Sequence, residues 1–406
     1  MRSSGANALA ALMVLALAAC SHPKPDVPTV PDNPRGRVPL PLSGLDGTLA
    51  ELTARYKITT AGVGVMRNGK LFWSGYFGDE QPGVRATENT RFNVASITKT
   101  VTTEAALRLV HEGKLDLDAP LAPYWTDPDV ANDPRKEQLT ARRVLTHTTG
   151  FPNWRFFRAD GKLVFLHDPG TTYGYSGEGF EYLARALENK LGQPFPRLVA
   201  TRVFQPIGMN AVIEAHREGV AHLARAVDEN GVFPGHYCRP NGTCRNDGSY
   251  SAADDMAVSV PDYAKFLASV MRSEGYGTEM AKERDRVQTD KGKDRIVDCA
   301  ANATIECPRA QGYGLGFEVV DYGDFKVIGH GGSDWSELTV AYFYEPSHDA
   351  VIVFLNAPNR FALSAMPEFL ALLDPRSPYL VSHRAWLERA SPGPKSLTPT
   401  SSGSTP

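Results

Sequence analysis

Strand-forming stretches stand at both ends of the globular part of this chain, and helix-forming ones lie between them. Near the start, "AGVGVMR" and "KLFWSGYF" flank Asn68-Gly69, and Asn-Gly is the preferred pair for a type I′ turn joining two strands. Near the end, "YGLGFEVVDYG", "DFKVIGH", "ELTVAYFYEP" and "HDAVIVFLNA" repeat the strand signal, and a helical "SAMPEFLALLD" follows. Ahead of the hairpin, Leu45, Leu49 and Leu52 recur at helical spacing over 44–56. In the middle, "TKTVTTEAALRLVHEG" stops at Gly113 and "GFEYLARALENKLG" closes at Gly192. "SVPDYAKFLASVMR" opens with Ser259 and Asp262 at capping-box spacing. Strands at both ends with helices between imply one sheet built from both chain ends, with a helical region inserted in the sequence. Sites often lie where two such regions meet.

The 406 residues are 42% hydrophobic and 22% charged, enough for one large domain or two small ones. A net charge of −3, without a basic run or a stacking platform, argues against a nucleic-acid partner. The ten histidines show no H-E-x-x-H spacing and the cysteines no C-x-x-C, so a metal site has little support.

The first residues read as a processing segment. Arg2 precedes the short apolar run "ALAALMVLALAA", which suits a signal peptide over 1–19 better than a membrane span. "LAAC", Leu17 to Cys20, resembles a bacterial lipobox, which implies cleavage before Cys20 and lipid chains on that residue. A plain secretory signal is the alternative. Ser21 resembles the residue found after the cysteine in outer-membrane lipoproteins. The expected location is the periplasmic face of the outer membrane, held through Cys20, since each buried methylene adds about 0.8 kcal/mol. Residues 20–42 then form a lipidated cysteine and a proline-rich tether. Residues 43–390 form the folded domain, expected as a monomer, and 391–406 a disordered tail. Cys238, Cys244, Cys299 and Cys307 are left, an even number behind an export signal. Three pairings are open; Cys238–Cys244 and Cys299–Cys307 are favoured because each pair is close in sequence. A four-cysteine zinc site is the rival, with spacings too wide for a zinc knuckle.

"RFNVASITKT", 91–100, places Ser96 where a helix should start and Lys99 one turn later on the same face. The pattern S-x-x-K occurs twice; the other copy, Ser21–Lys24, sits in the proline-rich stretch. A lysine is a poor base at its usual pKa near about 10.4, but burial lowers that value. A pocketed Lys99 could then take the proton of Ser96. An N-cap serine followed by a solvated lysine is the plainer reading.

Context favours the nucleophile. "FNVASITKTVT", "KLDLDAPLAPYW", "LTARRVLTHTTGFPNW", "HDPGTTYGYSGEGFEYLARALE", "VFQPIGM", "YGLGFEV" and "IGHGG" follow one another. In this order and spacing they resemble the serine β-lactamase and penicillin-binding-protein-like hydrolases. The nearest branch holds class C β-lactamases, D-alanyl-D-alanine carboxypeptidases and β-lactamase-like esterases. The resemblance implies an α+β fold of the β-lactamase/transpeptidase type: an antiparallel sheet flanked by helices, beside an all-helical region, with the cleft between. It makes Ser96 the nucleophile, Lys99 its partner and Tyr175 the catalytic tyrosine. His330-Gly331-Gly332 would be the third motif, with His330 able to hydrogen-bond or polarise the tyrosine. The N–H groups of Ser96 and Ser333 would form the oxyanion hole, and His147 would be structural. The implied activity is hydrolysis of an ester or amide through an acyl-enzyme, with no cofactor.

Three departures narrow the expectation. Gly177 stands where many relatives carry an asparagine that contacts the lysine and the substrate. Its loss favours esters over β-lactams or D-amino-acid peptides. Asp254 and Asp255 stand where a Gly-Gly pair is common; they could face the cleft and attract a cation, or form a solvated loop. Trp335 could narrow the cleft or pack. A cell-wall-binding or scaffold lipoprotein that keeps the fold without turnover is the alternative of another class.

Overall fold

The computed structural model describes residues 34–39, 44–300 and 306–390. The expected signal peptide (1–19), the expected lipidation site Cys20 and the expected tail 391–406 lie outside the described residues. The chain begins with α1 (Leu45–Arg55), the hairpin of β1 (Thr60–Arg67) and β2 (Lys70–Gln81), and the short β3 (Val84–Arg85). A short β4 (Arg91–Asn93) leads to α2 (Thr98–His111), α3 (Ala141–Leu145), α4 (Gly177–Leu191) and α5 (Phe195–Val199). Then come β5 (Ala257–Ser259), α6 (Val260–Met271) and α7 (Thr278–Arg284). β6 (Ala310–Tyr313), β7 (Glu318–Asp321), β8 (Lys326–Ser333), β9 (Glu337–Glu345) and β10 (Ala350–Asn356) precede α8 (Asn359–Leu373) and α9 (Pro378–Ala390).

Eight strands form one sheet in the order β3-β2-β1-β10-β9-β8-β7-β6. The two chain ends meet at its centre, where β1 pairs antiparallel with β10 and Val63 lies opposite Val353. The sheet is covered on both faces. Ala350, Ile352 and Phe354 of β10 enter the core shared with α2, α4 and α6, whereas Val351, Val353 and Leu355 enter the core under α1 and α8. That is why β10 reads as a continuous apolar run rather than an alternating one. Each such side chain contributes about 1.5–3 kcal/mol on full burial.

The expected elements form, with instructive shifts. The β1–β2 turn uses Asn68 and Gly69, both at positive φ (49° and 74°). Ser259 caps α6 by accepting the Asp262 N–H at 3.3 Å, and α4 ends on Gly192 at φ 63°. The stretch "YGLGFEVVDYG" splits between β6 and β7, because the chain leaves the sheet to reach α3, where the Gly316 N–H meets the Leu145 carbonyl at 2.8 Å. α8 begins at Asn359, ahead of the expected "SAMPEFLALLD", and α9 was not foreseen. The helical side also carries the long stretch 205–256, which holds no helix or strand. Residues 35–39, expected in the tether, lie against the domain. Val38 is 1% exposed, and Arg67 hydrogen-bonds both the Val38 carbonyl and the Asp349 carboxylate. Both favoured disulfides, Cys238–Cys244 and Cys299–Cys307, are present.

Candidate active site

β4, paired antiparallel with β5, leads the chain into the turn that holds Ser96. Ala95 has φ 48°, and its N–H is held by the Asn93 side chain at 3.0 Å. Ser96 follows in a 3-10 turn, Ala95–Ile97, that runs into α2. α2 is buried nearly all round, which fixes the position of everything on it. Thr98 secures the turn from below, donating to the Ala95 carbonyl at 2.7 Å and accepting the Met256 N–H at 3.1 Å.

Lys99 is fully buried. Its Nζ donates to Ser96 Oγ at 3.0 Å and to the Ala253 carbonyl at 2.9 Å. Burial lowers its pKa to about 8, while Asp254 and Glu181 pull it upward. A neutral lysine is therefore accessible near neutral pH. Glu181 on α4 holds the Ala253 segment in place, accepting from the Ser251 hydroxyl and from the Ala252 N–H.

Tyr175 completes the group. Its ring lies 4.9 Å from Lys99 Nζ. Burial pushes its phenol above the ordinary range, against the pull of its hydrogen bond to Ser96. The tyrosine thus stays protonated where Lys99 titrates. His147 is structural, as expected. Its Nδ1 accepts the Ser176 N–H at 3.0 Å, and its ring stacks on Tyr175 with centroids 4.4 Å apart. Burial holds its pKa well below the usual value, so it buttresses the tyrosine as a neutral ring.

β8 closes the site. Its pairing with β7 ends at Gly329, so His330, Gly331, Gly332 and Ser333 run on beside the nucleophile turn. A Cβ on Gly332 would lie 2.3 Å from the Val94 carbonyl and 3.1 Å from the Ser96 nitrogen; only glycine allows this approach. Ser333 lines the cavity, and its hydroxyl accepts from Asn359 at 2.9 Å. The expected bond from His330 to the catalytic tyrosine is not made. His330 Nδ1 is engaged by the Gly331 carbonyl, so Nε2 accepts from the Tyr313 hydroxyl at 2.9 Å. Burial lowers its pKa to about 4, so it is neutral. Tyr313, inside the quoted "YGLGFEV", is a site residue that sequence reasoning passed over.

Ser96, Tyr175, Tyr313, His330 and Ser333 line a cavity of about 1000 Å³. Trp154 lines it too, and its indole occupies the space above Gly177: a Cβ there would meet that ring at 2.5 Å. Asp254, Asp255 and Trp335 all line the cavity. Asp255 is not part of a solvated loop; it is 7% exposed, sits at φ 69° and pairs with Arg245 at 2.8 Å. Among the described residues no three His, Cys, Asp or Glu side chains are placed to hold a metal ion.

The beta-lactamase family model matches residues 45–366. The chain belongs to the beta-lactamase family. Among curated relatives in this family, the esterase EstB of Burkholderia gladioli is 29% identical over 195 residues, 41% of this chain and 49% of that protein. The D-alanyl-D-alanine-carboxypeptidase/endopeptidase AmpH of Escherichia coli K12 is 29% identical over 243 residues, 55% of this chain and 59% of AmpH. The matched regions thus span between about half and three fifths of these relatives' length. Solved structures share the fold. The octameric penicillin-binding protein homologue of Pyrococcus abyssi has a TM-score of 0.64 at 20% identity, covering 86% of this chain and 82% of that one. The D-amino acid amidase of Ochrobactrum anthropi SV3 with L-phenylalanine has a TM-score of 0.61 at 18% identity, covering 85% and 97%. The beta-lactamase fold accounts for the sheet built from both chain ends and for the helical side next to it.

Proposed function

We propose that this protein is a serine hydrolase that cleaves a small ester through an acyl-enzyme. The observation that carries the reading is the 3.0 Å contact between the Oγ of Ser96, which lines the cavity, and the buried Lys99 Nζ behind it. Neutral Lys99 takes the hydroxyl proton as Ser96 attacks the carbonyl. The N–H groups of Ser96 and Ser333 receive the oxyanion; one such donor is typically worth about 10²–10³ in rate. Tyr175 returns a proton to the leaving group, and water then releases the acyl group. Esters are favoured over β-lactams and peptides because position 177 itself carries no side-chain amide to orient a lactam or peptide carbonyl, and the neighbouring Asn153 amide oxygen is taken by the Gly177 N–H at 3.0 Å. An alkoxide also leaves more readily than an amine.

A fluorescent fluorophosphonate should label the wild type and leave Ser96→Ala unlabelled. Small esters should turn over faster than a chromogenic cephalosporin. Wild-type esterase activity in a clean Ser96→Ala preparation would refute the reading. The same proposal places the protein on the periplasmic face of the outer membrane, anchored through Cys20. It is supported by "LAAC" after an apolar run and by two disulfides, which suit an oxidising compartment. Incorporation of labelled palmitate into wild type but not into Cys20→Ala tests it.

A further inference from the structure

We propose that Trp154, Phe156 and Phe157 form an open apolar shelf beside Ser96 that receives a hydrocarbon chain of the substrate, so that the ester cleaved here carries an unbranched apolar chain. The proposal rests on the hydrolase reading and names its substrate class. All three rings line the cavity that holds Ser96. They form a continuous series that starts near the base. The Trp154 indole lies 5.8 Å from Lys99 Nζ. Phe156 stacks on that indole with centroids 5.5 Å apart, and Phe157 meets Phe156 edge-on at 4.7 Å. The series passes from the interior to solvent. Trp154 is half-buried, whereas Phe156 is 59% and Phe157 73% exposed. Single exposed apolar residues are ordinary on a protein surface. Contiguous ones beside a cavity mark a place where an apolar partner binds.

The rings are held in place from beneath. Arg155, between Trp154 and Phe156, is tied inward. Its backbone N–H and its guanidinium donate to the Glu178 carboxylate at 2.8 and 2.9 Å, and the guanidinium also reaches Asp127 at 2.7 Å. Both acids are buried, so the 3-10 turn Arg155–Phe157 is pinned. A pinned turn has little freedom left to lose when a ligand arrives. The occupant follows from chemistry and reach. Continuity with Ser96 makes it part of the molecule under attack: a chain attached to a carbonyl at Ser96 enters the shelf at Trp154 and leaves it at Phe157. With C–C bonds of about 1.5 Å, an acetyl or ethyl group stops short of the first ring-to-ring step, whereas a longer unbranched chain follows the rings in succession. Elsewhere the cavity wall carries the Arg239–Asp334 and Arg245–Asp255 pairs, whose polar groups an apolar chain would desolvate without compensation.

The test reads binding and does not need turnover. Calorimetry on Ser96→Ala protein compares ethyl acetate with two isomers, ethyl hexanoate and hexyl acetate. These add the same methylenes on the acyl side or on the alcohol side. A methylene half-buried on an open shelf is worth about twofold in affinity, so one isomer should bind about tenfold more tightly than ethyl acetate. The tighter isomer identifies which side of the ester lies on the shelf. Phe156→Ser and Phe157→Ser, added together to Ser96→Ala, should shrink that ratio by about threefold or more. Both side chains are exposed, so the fold should survive. Phe72→Ser, which removes a ring 59% exposed on β2 and outside the cavity lining, should keep the ratio. Equal binding of all three esters overturns the proposal. So does a chain preference that survives the double substitution, which would assign the exposed rings to another contact. A chain preference in a protein whose wild type neither labels with fluorophosphonate nor turns over esters supports the shelf and sinks the hydrolase reading alone. Labelling and turnover without a chain preference sink the shelf alone.

Discussion

The indole of Trp154 and the missing side chain of Gly177 fit together as one unit. A Cβ at 177 would lie 2.5 Å from the ring. The ring is held there by stacking on Phe156, with centroids 5.5 Å apart and planes 17° from parallel. The same indole lies 5.8 Å from Lys99 Nζ, so an aromatic face stands near the base.

Gly177→Asn alone should be overpacked, with a loss of about 1–3 kcal/mol in stability. Trp154→Ala should open the space, and the double variant should recover much of the stability lost by Gly177→Asn. Urea denaturation of the four proteins gives the coupling. Additive effects would mean that the two positions do not share the space.

Acylation should depend on the protonation state of Lys99. Because burial brings its pKa to about 8 and the neutral amine is the base, the rate should rise as pH increases through about 8 and then level off. Tyr175 is pushed above its usual range and should add no limb below that point. The Asp254 carboxylate raises the Lys99 pKa, so Asp254→Asn should move the rising limb to lower pH. A pH profile of fluorophosphonate inactivation reads both effects; a limb that stays in place or moves upward would remove Asp254 from the lysine's surroundings.

Tyr313→Phe removes the donor to His330 Nε2 and leaves a buried nitrogen without a partner. The expected cost is about 1–3 kcal/mol of stability, with fluorophosphonate labelling retained. Thermal denaturation and labelling together check it. Loss of labelling in a stably folded variant would place Tyr313 in the chemistry itself.

Replacing Cys238 and Cys244 by serine should cost about 2 kcal/mol in the chain-entropy account of a short loop. The Arg239–Asp334 and Arg245–Asp255 pairs cross from that loop to the cavity wall, so they should loosen with it. Non-reduced peptide mapping should show both disulfides in exported wild type. Four free thiols there would contradict the structure.

The sequence by itself determined what depends on near neighbours or on an ordered series of motifs. Asn68-Gly69 set the first hairpin because its turn needs two residues at positive φ. Ser259 and Asp262 set the start of α6 through a side-chain hydrogen bond three residues long. Short spacing favoured one of three cysteine pairings, the one the structure contains, and the motif order put Ser96, Lys99 and Tyr175 forward as candidates. Tertiary structure alone decided which partner each of these groups meets. The register of β8 along β9 and the break after β6 turned His330 toward Tyr313 and away from Tyr175. The packing of the 151–157 segment on the start of α4 put Trp154 over Gly177. A disulfide loop supplied counter-ions to Asp255 and Asp334, and the chain before β5 set Asp254 beside Lys99. Such contacts join residues far apart in the chain, so no local period or spacing encodes them; sheet register and packing fix them only once the whole domain has folded.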